Sequence, residues 1–277
     1  MNHNAPQTLE TFTGTLLLVG AGKMGGAMLE GWLALGLAPE RVAVIEPQPA
    51  PEIAALASRG LVLNPAEGAT HASVVVAAVK PQMAAEALPA IAGRVGPQTL
   101  VVSIMAGKTL GFLGEMLPGA AAVRAMPNTP AAIGRGITVA VPNARVTSGQ
   151  RGIAHALLAA TGKVEWVADE GLIDAVTAVS GSGPAYVFLL AECLAAAGRD
   201  AGLPAELADT LARETVAGSG ELLHRSPLDP ATLRKNVTSP GGTTAAALGV
   251  LMAEGGLGLL MRKAVLAATE RSRELAG

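Results

Sequence analysis

The stretch "TLLLVGAGKMGGAM", Thr15 to Met28, decides how the chain folds. Its first five residues are uncharged and mostly apolar, as in a strand buried on both faces. Gly20, Gly22 and Gly25 then follow the pattern G-x-G-x-x-G, and a helical segment continues beyond them. In a dinucleotide-binding turn each glycine has its own reason. Gly20 permits the tight turn, Gly22 lets the backbone approach a pyrophosphate, and Gly25 lets helix and strand pack closely. The helix start then offers free N–H groups and a partial positive charge to phosphate. Such a triplet can arise by chance in a glycine-rich chain. Here the strand before it and the helix after it supply the context that the motif needs.

Outward from this turn, "VAVIE" predicts a second strand ending on Glu46, 21 residues past Gly25. An acid there hydrogen-bonds the ribose 2′-OH and repels a 2′-phosphate. No arginine follows directly in "PQPAPE". The sequence therefore leans to NADH over NADPH; the plain alternative is an exposed strand-end glutamate. The runs "LVL", "VVVAAV", "TLVVSI", "AAVRAM", "GITVAV" and "KVEWV" predict six more strands, up to about Val167. Alternation with helical patterns implies βαβ units and a mostly parallel sheet with right-handed crossovers.

Beyond Val167 the rhythm changes to helical spacing alone. Leu172, Val176 and Val179 recur first, then Val187, Leu190 and Leu194, then Leu203, Leu207 and Leu211. Ala245 to Met252 and Leu257 to Leu275 read as two further helices. The expected architecture is α/β: an N-terminal Rossmann dinucleotide-binding domain over 1–168, with 1–14 a flexible leader, then an all-helical domain over 169–277. The helical half is apolar and poor in charge. It is expected to form a subunit contact as well as a substrate platform.

Composition narrows the function classes. Half of the 277 residues are hydrophobic, 15% are charged, and the formal net charge is -2, which fits a large packed core or subunit contact. No basic stripe is interleaved with aromatics, so no nucleic-acid partner is expected. Cys193, the only cysteine, excludes an intrachain disulfide and fits a reducing compartment. In its apolar helix it reads as a small core residue. No signal peptide is legible in "MNHNAPQTLETFTG", and no apolar run of membrane-spanning length escapes glycine, proline or charge. A cytoplasmic location without a membrane partner is expected. His3, His71, His155 and His224 lack paired ligand spacing, so no metal site is expected. Trp32 and Trp166 read as packing residues.

Ligands on open α/β sheets bind at the carboxyl ends of strands. Those ends carry "Asn64-Pro65", "AVKPQ" with Lys80, "SIMAGKT" and "RAMPNTP". Lys80 lies where a nicotinamide or anionic substrate is expected, or is a solvated loop lysine. "MPNTP" is a ligand contact or only a rigid turn. In "NVTSPGGTTAAAL", Ser239 and Pro240 are expected to cap and start a helix. Gly241 and Gly242 remove side chains, so amides near Gly242, Thr243 and Thr244 can cradle a carboxylate without a basic residue. The alternative is a glycine loop that merely caps the helix. Ser180 to Pro184, "SGSGP", predict a kink, either where the helical domain meets the cofactor cleft or as a plain hinge.

"GAGKMG", "AVKP", "RAMPNTP", "AVSGSGPAYVF" and "NVTSPGGTT" occur in that order. Together they resemble the pyrroline-5-carboxylate reductase family over nearly the whole chain. The resemblance implies reduction of the cyclic imine Δ1-pyrroline-5-carboxylate to L-proline with NADPH or NADH. It implies an interlocked homodimer that can assemble further, often into decamers. Family cofactor contacts fall on Gly20, Ala21, Gly22, Lys23, Met24 and Gly25, on Glu46, Asn64, Ala78, Val79, Lys80 and Pro81, and on Ala106. Substrate contacts fall on Glu170, Asn236, Thr243 and Thr244, next to the Gly242 amide. Many members carry small hydroxyl or basic residues where this chain has Glu46, which favours NADPH; this chain departs from that pattern.

The residue types suit the reaction. Hydride transfer is easier to a protonated imine, and the Thr244 hydroxyl can hydrogen-bond the nitrogen and relay a proton from water. Lys80 assists electrostatically. Two other readings stay open. One is a related Rossmann-plus-helical enzyme, such as another cyclic-imine reductase or a β-hydroxyacid dehydrogenase; the dehydrogenase needs a helical-domain lysine in a "GxxxK" context, which neither Lys235 nor Lys263 has. A dinucleotide-binding regulatory protein would bind cofactor without turnover.

Overall fold

The computed structural model describes residues 9–66 and 71–276. Its strands are β1 (Leu16–Val19), β2 (Val42–Ile45), β3 (Val62–Leu63), β4 (Val74–Ala77), β5 (Leu100–Ser103), β6 (Ala121–Met126), β7 (Gly136–Pro142) and β8 (Gly162–Trp166). These are the eight runs marked out by the sequence. The α-helices are α1 (Lys23–Ala34), α2 (Pro51–Ala55), α3 (Ala84–Ala90), α4 (Leu110–Met116), α5 (Ser148–Ala159), α6 (Ile173–Val176), α7 (Gly183–Asp200), α8 (Ala205–Arg225), α9 (Pro230–Asn236), α10 (Thr243–Leu251) and α11 (Leu257–Ala276).

One sheet holds all eight strands in the order β3-β2-β1-β4-β5-β6-β7-β8. The first six in that order run parallel, β7 is antiparallel to β6, and β8 is parallel to β7. The arrangement 3-2-1-4-5-6 is the doubly wound dinucleotide-binding topology. Alternate side chains fill the two faces. Leu16, Leu18, Val74 and Val76 pack with Met28, Leu29 and Trp32 of α1 and with Leu157 and Leu158 of α5. Leu17, Val19, Val75 and Ala77 pack with Leu88 of α3 and Leu113 of α4. Trp32 is fully buried and its indole N–H donates to the Leu157 carbonyl at 2.8 Å, as a packing tryptophan should.

The leader expected over 1–14 is anchored in its second half. Leu9 is buried and its N–H donates to the Leu35 carbonyl at 2.8 Å, Phe12 packs on the core, and the Arg41 guanidinium donates to the Thr13 carbonyl. Apolar Leu9 and Phe12 gain more by burial than a free tail would. Residues 1–8 of that leader, with His3, lie outside the described residues.

The chain divides into two compact units, 1–181 with 269–277, and 182–268. Helical rhythm begins near Asp169, but residues 170–181 pack on the sheet. Ile173 joins Val139 and Val141 in a small core, Ala178 is buried, and Gly181 lies against Met126. Helical rhythm and compact unit thus part company over residues 170–181. The end of α11 returns to the first unit, where the Ser272 hydroxyl donates to Asp174 Oδ1 at 2.7 Å. Thr177–Gly181 form a π-helical turn, so the expected interruption at 180–184 begins as an i→i+5 distortion.

In the second unit α7 and α8 pack together, and the outward faces stay open. Val187, Phe188, Leu189, Leu190, Leu222, Val250 and Leu266 are all exposed. Cys193, expected in the core, is exposed as well, because a two-helix pair cannot enclose both sides of α7. By length and composition one helical run, Glu170–Asp200, is apolar enough to cross a membrane. The π turn inside it and the many other apolar residues open on the second unit fit a subunit face equally well. The sequence also missed α9, a short polar helix with little apolar periodicity.

Candidate active site

The strand order reverses between β1 and β4, and the turn Gly20–Gly25 stands at that switch point. Gly20 has φ 90°, a left-handed conformation, and an added Cβ would meet Ala78 C and O and Val79 N at 2.8 Å. Ala78 and Val79 therefore lie directly against the turn, and the Ala78 N–H donates to the Val19 carbonyl at 2.7 Å. Gly25 is held as closely: a Cβ there would overlap the Gly20 carbonyl oxygen. Gly22, the N-cap of α1, differs. A Cβ there would have no neighbour within 4 Å. Nothing in the packing demands glycine at this position, so the bare backbone faces space for a ligand.

Helix α1 starts at Lys23, and the Gly26 N–H closes the first intrahelical bond to the Gly22 carbonyl at 2.7 Å. The N–H groups of Lys23, Met24 and Gly25 are left for an anion. The residues thus fit a dinucleotide's pyrophosphate. Ala21 plays another part: its N–H donates to Glu46 Oε2 at 2.9 Å. Glu46 also meets Asn64, whose side chain binds its main-chain N–H at 2.8 Å and its carbonyl at 3.0 Å. These expected cofactor residues form one contiguous cluster at the ends of β1, β2 and β3. A cavity of about 510 Å³ lies beside it, lined by Val19, Ile45, Asn64, Pro65 and Ala87 among others.

Lys80, three residues beyond β4, is exposed, and its ammonium makes no hydrogen bond or ion pair among the described residues; its carbonyl accepts the Met83 N–H at 2.9 Å in the short 3₁₀ turn that Pro81 starts. Ala106 is exposed in the loop after β5. Glu170 is otherwise occupied. Its Oε1 accepts from Arg124 Nη1 and from the Leu110 N–H, both at 2.8 Å. Arg124 is 5% exposed and Glu170 28%. The carboxylate ties the end of β6 to the start of α4, where it also meets the positive end of that helix. In sequence Arg124 is only the first residue of "RAMPNTP", and no local signal joins it to Glu170, 46 residues on. In "MPNTP", Asn128 Oδ1 accepts the Ile137 N–H at 2.9 Å, so a rigid turn accounts for that asparagine.

In the second unit, Asn236 ends α9 and is exposed. Helix α10 starts at Thr243 with Gly242 as N-cap and no side-chain cap. The expected start at Ser239–Pro240 is corrected. Gly241 adopts φ 69°, which breaks any helical run there, and the Ser239 carbonyl accepts the Gly242 N–H at 3.1 Å. The Gly242 amide is therefore spent on the turn. The available first-turn N–H groups are those of Thr243, Thr244 and Ala245, since the Ala246 N–H bonds the Gly242 carbonyl at 3.2 Å. Ala245 was missed because the cap was placed too early. The Thr244 hydroxyl is partly exposed and has no hydrogen-bond partner among the described residues.

A doubly wound sheet with a bare glycine turn at its switch point defines a Rossmann-type dinucleotide-binding protein, here followed by a helical domain. Residues 15–107 match the family model for coenzyme F420-dependent NADP oxidoreductases, and residues 170–275 match that for pyrroline-5-carboxylate reductase dimerisation. The pyrroline-5-carboxylate reductase of Pseudomonas aeruginosa is 39% identical over 95% of this chain and 97% of its own. That of Synechocystis is 41% identical over 93% of this chain and 97% of its own. A pyrroline-5-carboxylate reductase structure from Coxiella burnetii superposes with TM-score 0.87 at 34% identity, covering 96% of this chain and 99% of that one. The Plasmodium falciparum structure with NADP bound gives 0.80 at 31%, covering 96% and 99%. The chain belongs to the pyrroline-5-carboxylate reductase family.

Proposed function

We infer that the chain reduces Δ1-pyrroline-5-carboxylate to L-proline with NAD(P)H, the last step of proline biosynthesis. The end-to-end similarity to the Pseudomonas aeruginosa enzyme, 39% over 95% of the chain, carries this reading. Two bare helix starts support it chemically. The N–H groups of Lys23, Met24 and Gly25 receive the pyrophosphate of the cofactor, with Gly20 and Ala78 to Pro81 shaping the turn. The N–H groups of Thr243, Thr244 and Ala245 receive the substrate carboxylate.

The bound cofactor supplies the hydride. The chain supplies binding, orientation and a route for the proton. The Thr244 hydroxyl donates a hydrogen bond to the imine nitrogen and passes on a proton from water. The C=N π bond breaks, a C–H bond forms at carbon and an N–H bond at nitrogen. Lys80, exposed and unpaired among the described residues, adds positive charge near the anionic reactants. Asn236 and Ala106 are kept as substrate and cofactor contacts. Glu170 is assigned to holding Arg124 and Leu110 in place, since an acid repels an anionic substrate.

Residues 1–168 act as the cofactor-binding part and 169–277 as the dimerisation and substrate-binding part. Homodimers of a cytoplasmic enzyme, able to assemble to decamers, would bury the apolar faces of α7, α8 and α11. Steady-state oxidation of NADH and NADPH in the presence of pyrroline-5-carboxylate tests the function. Turnover with either is expected. Cofactor binding without turnover would favour a regulatory dinucleotide-binding protein, and turnover only with a hydroxyacid would favour a dehydrogenase.

A further inference from the structure

We propose that Glu46 and Asn64 form a cofactor-selecting brace that makes this chain an NADH enzyme, with Asn64 acting on the cofactor through Glu46. The proposal rests on the NAD(P)H reading above and refines it to one cofactor.

Glu46 sits one residue beyond β2, at the place where a Rossmann fold meets the adenosine ribose. Its carboxylate is fixed at both oxygens. Oε2 accepts the Ala21 N–H at 2.9 Å, and Oε1 accepts the Gln48 N–H at 3.1 Å. Free amides beside the glycine turn are what a bound phosphate would seek. Here two of them are already taken by the chain's own anion. A 2′-phosphate arriving at this place would meet a negative charge and no unpaired amide from Ala21 or Gln48. A 2′-hydroxyl would meet the second lone pair of a carboxylate oxygen, a strong acceptor.

Asn64 makes that placement rigid. Its side chain closes a two-bond ring on the main chain of Glu46, and its own N–H donates to the Val44 carbonyl at 2.7 Å. Among the described residues it is the only non-glycine with positive φ, at 47°. Such a conformation is uncommon outside glycine and is best tolerated by asparagine and aspartate. Asparagine fits both demands at once: it accepts the strained backbone and offers one donor and one acceptor to a neighbouring peptide. Asn64 is therefore a positioning residue, where the sequence had made it a cofactor contact.

The test is direct binding of NADH and NADPH to the full-length protein by calorimetry, which needs no turnover. The intact chain should bind NADH more tightly. Glu46→Ser should shift the NADPH-to-NADH affinity ratio toward NADPH by about ten- to a hundredfold, as expected for one hydrogen bond to a charged group. Asn64→Gly keeps the left-handed backbone and removes only the amide. It should shift the same ratio by about fivefold, the worth of one neutral hydrogen bond, since Asn64 acts only through Glu46. A merely structural role for Asn64 would weaken both cofactors alike and leave the ratio fixed, which would overturn its part. Tighter NADPH binding by the intact chain, or an unchanged ratio in Glu46→Ser, would overturn the proposal as a whole. Failure of the proline-forming reading would show separately, as binding of either cofactor without reduction of the imine.

Discussion

Two alanine substitutions, two residues apart at Gly20 and Gly22, should separate fold from function at the glycine turn. At Gly22 an added Cβ meets nothing within 4 Å, and the residue's φ of -68° suits any side chain. An N-cap change from glycine to alanine costs about 0.5–1 kcal/mol. The lost freedom of the unfolded chain returns about 0.4–1 kcal/mol. The two nearly cancel, so Gly22→Ala should move Tm by no more than about 2 °C. On the proposed cofactor placement its methyl group would stand where the pyrophosphate approaches, and losing one charge-assisted hydrogen bond weakens binding about ten- to a hundredfold. At Gly20 the same change meets φ 90° and three backbone atoms at 2.8 Å. A left-handed alanine costs about 1–2 kcal/mol, and overpacking adds about 1–3 kcal/mol. That sum should lower Tm by roughly 5–15 °C. Scanning calorimetry without ligand gives the stabilities, and NADH titration of the Gly22→Ala protein gives its affinity. A large Tm loss in Gly22→Ala, or an unchanged cofactor affinity, would refute the assignment of open space there to a ligand.

Further outcomes follow from the other sites. Thr244→Ala should lower kcat/KM about tenfold or more, the effect of one lost hydrogen bond in the transition state, and an unchanged value would remove Thr244 from the proton route. Glu170→Leu strands the buried Arg124 guanidinium and should cost about 3–5 kcal/mol in urea unfolding. The double variant Arg124→Leu/Glu170→Leu should recover part of that loss, and no recovery would mean that the pair does not act together. The Thr232 hydroxyl and main-chain N–H hold the Asp229 carboxyl below its ordinary range at the start of α9. A lowered folded pKa stabilises the protein above the unfolded value of about 3.9 and ceases to do so as pH falls through the folded value. Asp229→Ala should thus lower Tm at neutral pH and lower it less near pH 3. An equal loss at both would show that the carboxylate charge is not involved.

The strands were legible because parallel strands buried on both faces are written as uninterrupted apolar runs, as in Val74–Ala77. The glycine turn was legible because its spacing follows a strand and opens a helix; in the structure Gly20 and Gly25 answer steric demands, while Gly22 leaves open space. Glu46 and Asn64 were each expected beside the cofactor, but their mutual bonding was not legible, since it depends on β2 and β3 lying side by side. Arg124 and Glu170 join across a longer gap, 46 residues against 18. The start of α10 was misplaced because serine–proline is a good local opening for a helix, while the left-handed Gly241 that delays it leaves no mark beyond the glycine itself. Cys193 was misjudged for a different reason. An apolar helix looks the same in sequence whether its face is covered by its own chain or by a second copy.

The central claim is a direct hydride transfer to a cyclic imine. Proline formed from pyrroline-5-carboxylate and cofactor deuterated at nicotinamide C4 should carry one deuterium at the former imine carbon, with one cofactor oxidised per proline. Cofactor oxidation without labelled proline, under either cofactor, would contradict it.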